Sequence, residues 1–409
     1  MQPVSNSING GSAAGSLRSA EELCAAVALA LAVFLGASLY KHAWLIDGRG
    51  LANATDFVSL WAAGLQTLDG HPAAAYDWTM HKQAEDVALA HATGSYISWA
   101  YPPIYLFVGA GLASLPYFAA FASWIALTWS AFALTLRRII GHRLGLILAA
   151  AFPATWFNVA IGQNGCLTAA LMGGTLLLLD SQPVLAGLCL GALTYKPQFG
   201  LLFPLVLGIA GYWRTFAAAT ASALAIALTS WLGFGTAAWV AFFEAIPVTA
   251  NAVLSDGLTN FGKLQSLFGV VRALGGSETT AWLFQIPVAA ATAVVVSMIW
   301  RRPVPFELKA AALATGTLLI TPYSFVYDLT ILALPIAFLI RLGLRTGFWY
   351  GEPVALVAAA ACILLFPVLL MPTGLVAILI VGAMILRRLG VREPDRLETR
   401  QPLRRAGGD

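Results

Sequence analysis

The apolar segments of this chain are long, and they recur from about residue 22 to residue 386. An α-helix needs about 17–25 mostly apolar residues to cross the hydrocarbon core of a bilayer. Backbone groups inside lipid must be hydrogen-bonded within their own segment, so segments of this kind form helices. The chain is therefore predicted to be an all-α polytopic membrane protein.

The composition supports this class and excludes others. Of the 409 residues, 59% are hydrophobic and only 10% are charged, with a mean hydropathy of +0.79. Soluble domains carry about 25% charged residues. The apolar segments are continuous Ala/Leu/Val runs rather than alternating strands, which argues against an outer-membrane barrel. The cysteines lie in apolar sequence without metal-ligand spacing and are interpreted as packing residues: Cys24, Cys166, Cys189 and Cys362.

The segments between residues 21 and 390 predict a bundle of about twelve transmembrane helices. Two long polar stretches, 41–101 and 234–278, are predicted to be outer loops, and loops of such length are usually functional. Residues 1–20 are predicted to be a disordered cytoplasmic N-terminus, and 391–409 a basic cytoplasmic tail.

The crossings in 103–136 and 184–212 can be counted in two ways. In the first, 103–136 crosses once and 184–212 crosses twice. In the second, Pro116 splits the earlier segment into two spans and 184–212 is one long span. The arginine distribution favours the first.

Arginines cluster at one set of helix ends, which sets the orientation. By the positive-inside rule these ends face the cytoplasm, and both long loops face the periplasm or cell exterior. The first long loop then belongs to the outer side of an inner membrane. The clustered arginines are Arg137, Arg138, Arg143, Arg301, Arg302, Arg341, Arg345, Arg387, Arg388 and Arg392.

Asp56 is the first candidate functional residue, because it stands at the start of the first outer loop. A partly buried carboxylate at the membrane surface is suited to act as a general base. The alternative is structural: Asp56 precedes a plausible helix through Trp61 and Leu65 and could serve as its N-cap.

Lys196 is the second candidate, since a charge in apolar sequence is costly and usually functional. An anionic lipid phosphate would be a natural partner, whereas the alternative is a lysine that snorkels to the interface from a helix end.

The nearby Gly162-Gln163-Asn164-Gly165 offers amide donors, or is simply a tight turn between two spans. The stretch from Thr321-Pro322 to Tyr327-Asp328 joins two spans on the outer side, or is a proline turn with Asp328 as a cap.

Motifs of soluble enzymes are missing from the sequence. It contains no Walker A loop, no GxGxxG after a strand, no HExxH and no GxSxG. The basic residues lie at helix ends without interleaved aromatics, so nothing suggests nucleic-acid binding. No clustered carboxylates suggest a metal site.

The order of the polar motifs resembles glycosyltransferase family 87, over about residues 22–390. That family includes polyprenyl-phosphate-mannose-dependent mannosyltransferases and belongs to the GT-C superfamily. The motifs that carry the resemblance are Asp56, Gly70, Tyr76-Asp77, Tyr101-Pro102-Pro103, Gly162-Gln163-Asn164, Tyr195-Lys196-Pro197, Lys263 with Gln265-Ser266, and Thr321-Pro322 with Tyr327-Asp328.

The resemblance implies a GT-C-type fold with an acidic residue in a large first periplasmic loop. It also implies an inverting transfer of mannose or another hexose from a polyprenyl-phosphate sugar to a lipid or glycan acceptor. Asp56 becomes the catalytic base, and no cofactor or metal is expected. Candidates for binding the donor and its phosphate are Lys196, Lys263, Arg272, Gln163, Asn164 and Tyr101. Secondary candidates are Asp77, Tyr76, Gln265, Tyr327 and Asp328.

The chain departs from the family pattern at one loop. Family members often show a serine-proline pair and a histidine where this chain has Thr321-Pro322 and Tyr327-Asp328. The departure puts a histidine-dependent role at this loop in doubt.

Two other function classes compete with the enzyme. A transporter or lipid flippase would also show Lys196 and Asp328 among apolar helices, but such proteins tend to have internal repeats and short loops. A scaffold protein would not explain a cation and acids converging on one side.

Overall fold

The computed structural model describes residues 8–94 and 96–390. Over these residues the chain is all-helical, and the β-type pairing there is confined to two isolated bridges. The predicted fold class is confirmed at this level. The α-helices, numbered in chain order, are α1 Ile8–Tyr40, α2 Phe57–Leu68, α3 Trp78–Leu89, α4 Leu106–Ala113, α5 Tyr117–Ile140, α6 Leu144–Ala151, α7 Pro153–Ile161, α8 Gly165–Leu178, α9 Pro183–Ala192, α10 Leu202–Ala210, α11 Trp213–Ala250, α12 Leu267–Ala273, α13 Glu278–Arg301, α14 Phe306–Ile320, α15 Ala333–Thr346, α16 Glu352–Leu364, α17 Phe366–Leu369 and α18 Thr373–Gly390.

Seven of the described helical segments are long and apolar enough to cross a membrane. An eighth results if α6 and α7, which meet at a bend of 58°, form one broken span. Five further apolar helices have only 10–17 residues. The predicted count of about twelve treated three of these shorter helices as full spans: Gly165–Leu178, Pro183–Tyr195 and Pro197–Ala210. Apolar composition alone does not separate a crossing from a short buried helix.

The two ambiguous segments are both interrupted. Pro116 precedes α5, and α5 is long enough to cross, whereas the helical stretch Pro103–Ala113 is short. Segment 184–212 is broken at Lys196 into two short apolar helices, Pro183–Tyr195 and Pro197–Ala210.

The predicted second outer loop, 234–278, is mostly helix. The candidate span that begins at Trp213 runs to Ser255, through α11 and a final π-helical turn. It is kinked at Gly235, whose backbone has φ 77° and ψ 173°. Gly235 itself is not helical, so it divides α11 into two helical halves, and glycine adopts this positive φ without steric cost.

The N-terminal prediction also needs correction, because α1 already begins at Ile8. Residues 8–20 are therefore helical rather than disordered. Residues 1–7 of the predicted disordered segment, and the predicted tail 391–409, lie outside the described residues.

The first long loop folds into short helices packed on the bundle. α2 is largely buried and packs against α4 through Gly64 and Gly109. A Cβ atom on Gly64 would lie only 2.0 Å from the carbonyl oxygen of Gly109. This backbone contact holds α2 against α4, and the first residue of α2 directly follows Asp56.

Small residues make a second close contact, between α9 and α11. A Cβ on Gly187 would approach the Cβ of Ala218 to 2.5 Å, and one on Gly191 would approach the Cβ of Ser222 equally closely, at 2.5 Å. Close packing of small residues is a common way for helices to associate in lipid.

Ion pairs tie the helices together at the end where the arginines cluster. Glu307 at the start of α14 contacts Arg345 at the end of α15 at 2.5 Å, and Glu352 at the start of α16 contacts Arg388 in α18 at 2.5 Å. Glu21 in α1 contacts Arg143 at 2.7 Å. Since α14 and α15 begin and end here, their connection through Asp328 lies at the opposite end of the bundle.

Candidate functional site

A cavity of about 790 Å³ lies where several helices break or end. Its lining is mostly aromatic and aliphatic, and its charged residues are Asp56, Lys196, Lys263 and Asp328. The structure thus gathers residues that are up to 272 positions apart, from Asp56 to Asp328, around one space. The sequence-predicted residues that line it are Asp56, Tyr76, Tyr101, Gln163, Asn164, Lys196, Lys263, Tyr327 and Asp328.

Asp56 stands at the N-cap position of α2, but its side chain makes no capping hydrogen bond. Its Oδ2 instead accepts a hydrogen bond from Nε2 of Gln163 at 3.0 Å. The Oε1 of Gln163 in turn accepts one from the hydroxyl of Tyr101 at 3.1 Å. The carboxylate is therefore held toward the cavity by a side chain from another part of the bundle.

Burial sets the protonation behaviour of Asp56. Loss of solvation raises the pKa of this carboxyl above the ordinary aspartate value, while the Gln163 hydrogen bond and the charges of Lys263 and Lys196 act against the rise. A carboxylate with a raised pKa is a stronger base than an exposed aspartate, yet it can still ionise near its cationic neighbours.

The turn that carries Gln163 is shaped by Gly162. That glycine has φ 72°, and a Cβ there would lie 2.5 Å from the Cβ of Phe57. Its carbonyl accepts a hydrogen bond from Nε1 of Trp124 at 3.0 Å. The turn between α7 and α8 is thus packed directly onto the start of α2, which brings Gln163 to Asp56.

Lys196 and Asp328 form a buried ion pair, with Nζ and Oδ1 separated by 2.7 Å. Lys196 is 5% exposed and Asp328 1%. The other carboxylate oxygen of Asp328 accepts a hydrogen bond from the backbone N–H of Phe325 at 3.0 Å. A snorkelling lysine would place its ammonium at the surface, whereas this one is enclosed at the cavity wall.

Aromatic rings surround the ammonium of Lys196. It lies 4.9 Å from the ring centroid of Tyr327 and 5.9 Å from that of Tyr101. Behind Tyr101, the rings of Tyr105 and Tyr195 stack at 4.5 Å with an interplanar angle of 11°. The rings offer their electron-rich faces to the cation and exclude water from it.

Three predicted site residues lie outside the cavity lining and have structural partners. Arg272 donates to the carbonyls of Gly276 at 2.9 Å and Ser255 at 2.6 Å. Gln265 is fully buried and accepts from the backbone N–H of Gly374 at 2.8 Å. Asp77 caps α3 by accepting from the backbone N–H of Met80 at 2.8 Å. Their contacts fix loops and do not place them beside a ligand in the cavity.

The second half of α11 forms a wall of the cavity that was not predicted from the sequence. Phe242, Ile246 and Thr249 line the cavity, and the ring of Phe242 lies 5.9 Å from that of Tyr76. These residues carry no signal of their own in an apolar segment. They lie in the half of α11 that follows the kink at Gly235.

A buried polar network beside the cavity was also missed. His81 joins Ser59 and Gln66 through its two ring nitrogens, at 3.0 Å each, and its Nε2 lies 3.9 Å from Glu85. Burial raises the pKa of Glu85 to about 8 and lowers that of His81 to about 4. At neutral pH both groups are therefore uncharged, and their contact is not an ion pair.

The described residues contain no group of three or more His, Cys, Asp or Glu side chains that could hold a metal ion.

The family model of glycosyltransferase family 87 matches residues 99–322, which is more than half of the 409 residues. Neither the curated proteins nor the solved structures gave a match to the chain.

Proposed function

Because this chain belongs to glycosyltransferase family 87, and is therefore a membrane glycosyltransferase, we propose that its donor is a polyprenyl-phosphate sugar. The sugar is mannose or another hexose, and the acceptor is a hydroxyl of a lipid or glycan. The observation that carries the proposal is one cavity that holds both the carboxylate of Asp56 and the buried ammonium of Lys196.

The proposed reaction is a single displacement with inversion at the anomeric carbon. The acceptor oxygen forms a bond to C1 while the bond from C1 to the phosphate oxygen breaks. The acceptor proton passes to Asp56, and the bonding electron pair leaves with the lipid phosphate. The lipid-linked sugar is the co-substrate, and the reaction needs no cofactor.

Cations in the cavity suit the leaving group. The lipid phosphate gains negative charge as the bond breaks, and a fixed ammonium in a site of low polarity stabilises that charge. Lys196 is enclosed at the wall, while Lys263 is exposed and lines the same space. We assign Lys196 to the phosphate, with Lys263 as a second contact.

Gln163 and Tyr101 are better assigned to the base than to the phosphate. Their hydrogen bonds run to Asp56 and to each other. Asn164 and Tyr327 remain candidates for substrate contacts, since both line the cavity.

The arginine clusters support the proposed location. Arg143, Arg345 and Arg388 lie in ion pairs at one end of the bundle, and the cavity lies at the other. By the positive-inside rule, the cavity then opens on the periplasmic or exterior side of an inner membrane.

The first experiment compares wild-type protein with Asp56→Asn in lipid nanodiscs. The assay follows transfer from radiolabelled polyprenyl-phosphate sugars in the presence of lipid extract. Loss of the base is expected to lower the rate by about 100-fold or more. Asp77→Asn is the matched control, because Asp77 lies in the same loop but caps α3 outside the cavity, and it is expected to keep wild-type activity.

Transfer that survives in Asp56→Asn would remove Asp56 from the role of base. The transporter or flippase alternative gains no support from the family. Flipping of the labelled lipid without sugar transfer would be the result that favours it.

A further inference from the structure

The Lys196–Asp328 pair contains a carboxylate that the proposed reaction does not use. Within the described residues, Oδ1 of Asp328 is the acceptor that the ammonium of Lys196 contacts by hydrogen bond, at 2.7 Å. An ammonium has three N–H donors, so donors remain for a phosphate in the cavity. Asp328 is itself oriented by the backbone N–H of Phe325 and cannot turn away without losing that bond.

The charge on the phosphate changes during the proposed reaction. A polyprenyl-phosphate sugar is a phosphodiester with one negative charge. The product is a phosphate monoester, whose second pKa of about 6 gives it nearly two charges at neutral pH. A lone buried ammonium would therefore hold the product more tightly than the substrate.

A carboxylate beside the ammonium reduces this preference. It repels both phosphate forms, and it repels the doubly charged product more strongly. The effect is large where water is excluded, and both members of this pair are almost fully buried.

We propose that Asp328 is a counter-ion that weakens the hold of Lys196 on the lipid-phosphate product and so permits its release. The proposal rests on the proposed function, because it takes Lys196 as the phosphate contact. Asp328 acts through Lys196 and is a positioning residue rather than a catalytic one.

The test measures binding of farnesyl phosphate, a short polyprenyl monophosphate, to purified protein in nanodiscs. Asp328→Asn is expected to bind it about tenfold more tightly than wild type, because one negative charge is removed beside the ammonium. Lys196→Met is expected to bind it more weakly. In turnover assays, Asp328→Asn should show stronger inhibition by the same lipid phosphate and a lower kcat without a rise in KM for the donor.

A matched control separates charge from stability. Glu352→Gln removes the carboxylate of another buried ion pair, with Arg388, at the opposite end of the bundle. It is expected to leave the affinity for farnesyl phosphate unchanged. Unchanged or weaker binding in Asp328→Asn, or tightening in Glu352→Gln as well, would overturn the proposal.

A second comparison covers the case in which Asp328→Asn alone does not fold. Replacing both members of a buried pair by uncharged residues of similar size avoids the unpaired buried charge that makes single replacements costly. The double variant Lys196→Met/Asp328→Asn should bind farnesyl phosphate more tightly than Lys196→Met, and equal or weaker binding would contradict the counter-ion role. If neither wild type nor Lys196→Met binds farnesyl phosphate, the donor assignment itself fails.

Discussion

At the scale of single residues, the site depends on partners that are remote in sequence. Asp56 and Gln163 are 107 positions apart, and Lys196 and Asp328 are 132 apart. Sequence reasoning could single out Asp56 and Lys196, because charges stand out in an apolar chain. It could not identify Gln163 as the partner of Asp56 or Asp328 as the partner of Lys196, because no local sequence pattern specifies which helix ends come into contact.

The hydrogen bond from Gln163 leads to a prediction about pH. Asp56 must be ionised to accept a proton, so kcat/KM should rise with pH through the pKa of this carboxyl. Gln163→Leu removes the hydrogen bond from Gln163 to Asp56, and that hydrogen bond lowers the pKa of Asp56. The acidic limb of the profile is therefore expected to move to higher pH, with the largest loss of activity at low pH.

The pH profiles of wild type, Gln163→Leu and Gln182→Leu would check this prediction. Gln182 is an exposed glutamine before α9, and its substitution should leave the limb in place. An equal loss of activity at every pH would show that Gln163 does not act through the ionisation of Asp56.

At the scale of elements, the cavity is built from helix ends. Gln163 lies between α7 and α8, Lys196 between two 3-10 turns, and Asp328 in the 3-10 turn before α15. Glycine and proline in the sequence predict such breaks. The kink in α11 was harder to predict, because Gly233, Gly235 and the nearby polar residues are typical of a loop as well.

The contact between α2 and α4 leads to a prediction about packing. Gly64→Ala would place a Cβ 2.0 Å from a backbone oxygen of Gly109, so α2 must move. Overpacking of this kind costs about 1–3 kcal/mol. The displacement should also carry Asp56 away from Gln163 and lower the rate of transfer.

Gly111→Ala is the matched control, since it lies in α4 with nothing within 4 Å of the added Cβ. Thermal unfolding in detergent and the transfer assay would compare the two variants. Equal stability and activity in both would show that the contact does not position α2.

At the scale of the whole molecule, composition was enough to predict a helical membrane protein, but not the number of crossings. The apolar stretches 103–113 and 165–178 are too short to count as spans and still belong to the bundle. Buried ion pairs between residues far apart in the sequence could not be predicted either. Glu352 and Arg388 are 36 residues apart on different helices, and both side chains are almost fully buried.

The Glu352–Arg388 pair leads to a prediction about stability. Breaking a buried pair leaves an uncompensated charge and costs about 3–5 kcal/mol. Glu352→Gln is therefore expected to lower the unfolding midpoint markedly, while the folded fraction keeps its transfer activity. The exposed pair of Arg18 and Glu22 is the comparison, and Glu22→Gln should change the midpoint little. Similar midpoints for the two variants would show that the buried pair does not stabilise the bundle.

The helix ends around the cavity have a consequence for mutational scanning. The last carbonyls and first amides of a helix have no partner within that helix. At the break between α7 and α8 these groups find partners on side chains: the carbonyl of Gly162 accepts a hydrogen bond from Nε1 of Trp124, and the backbone N–H of Gly165 donates to Oδ1 of Asn158. Truncating either side chain to alanine would therefore leave a helix-end backbone group without its partner, so a mutational scan at these two positions reports on the backbone of the break as well as on the side chain removed.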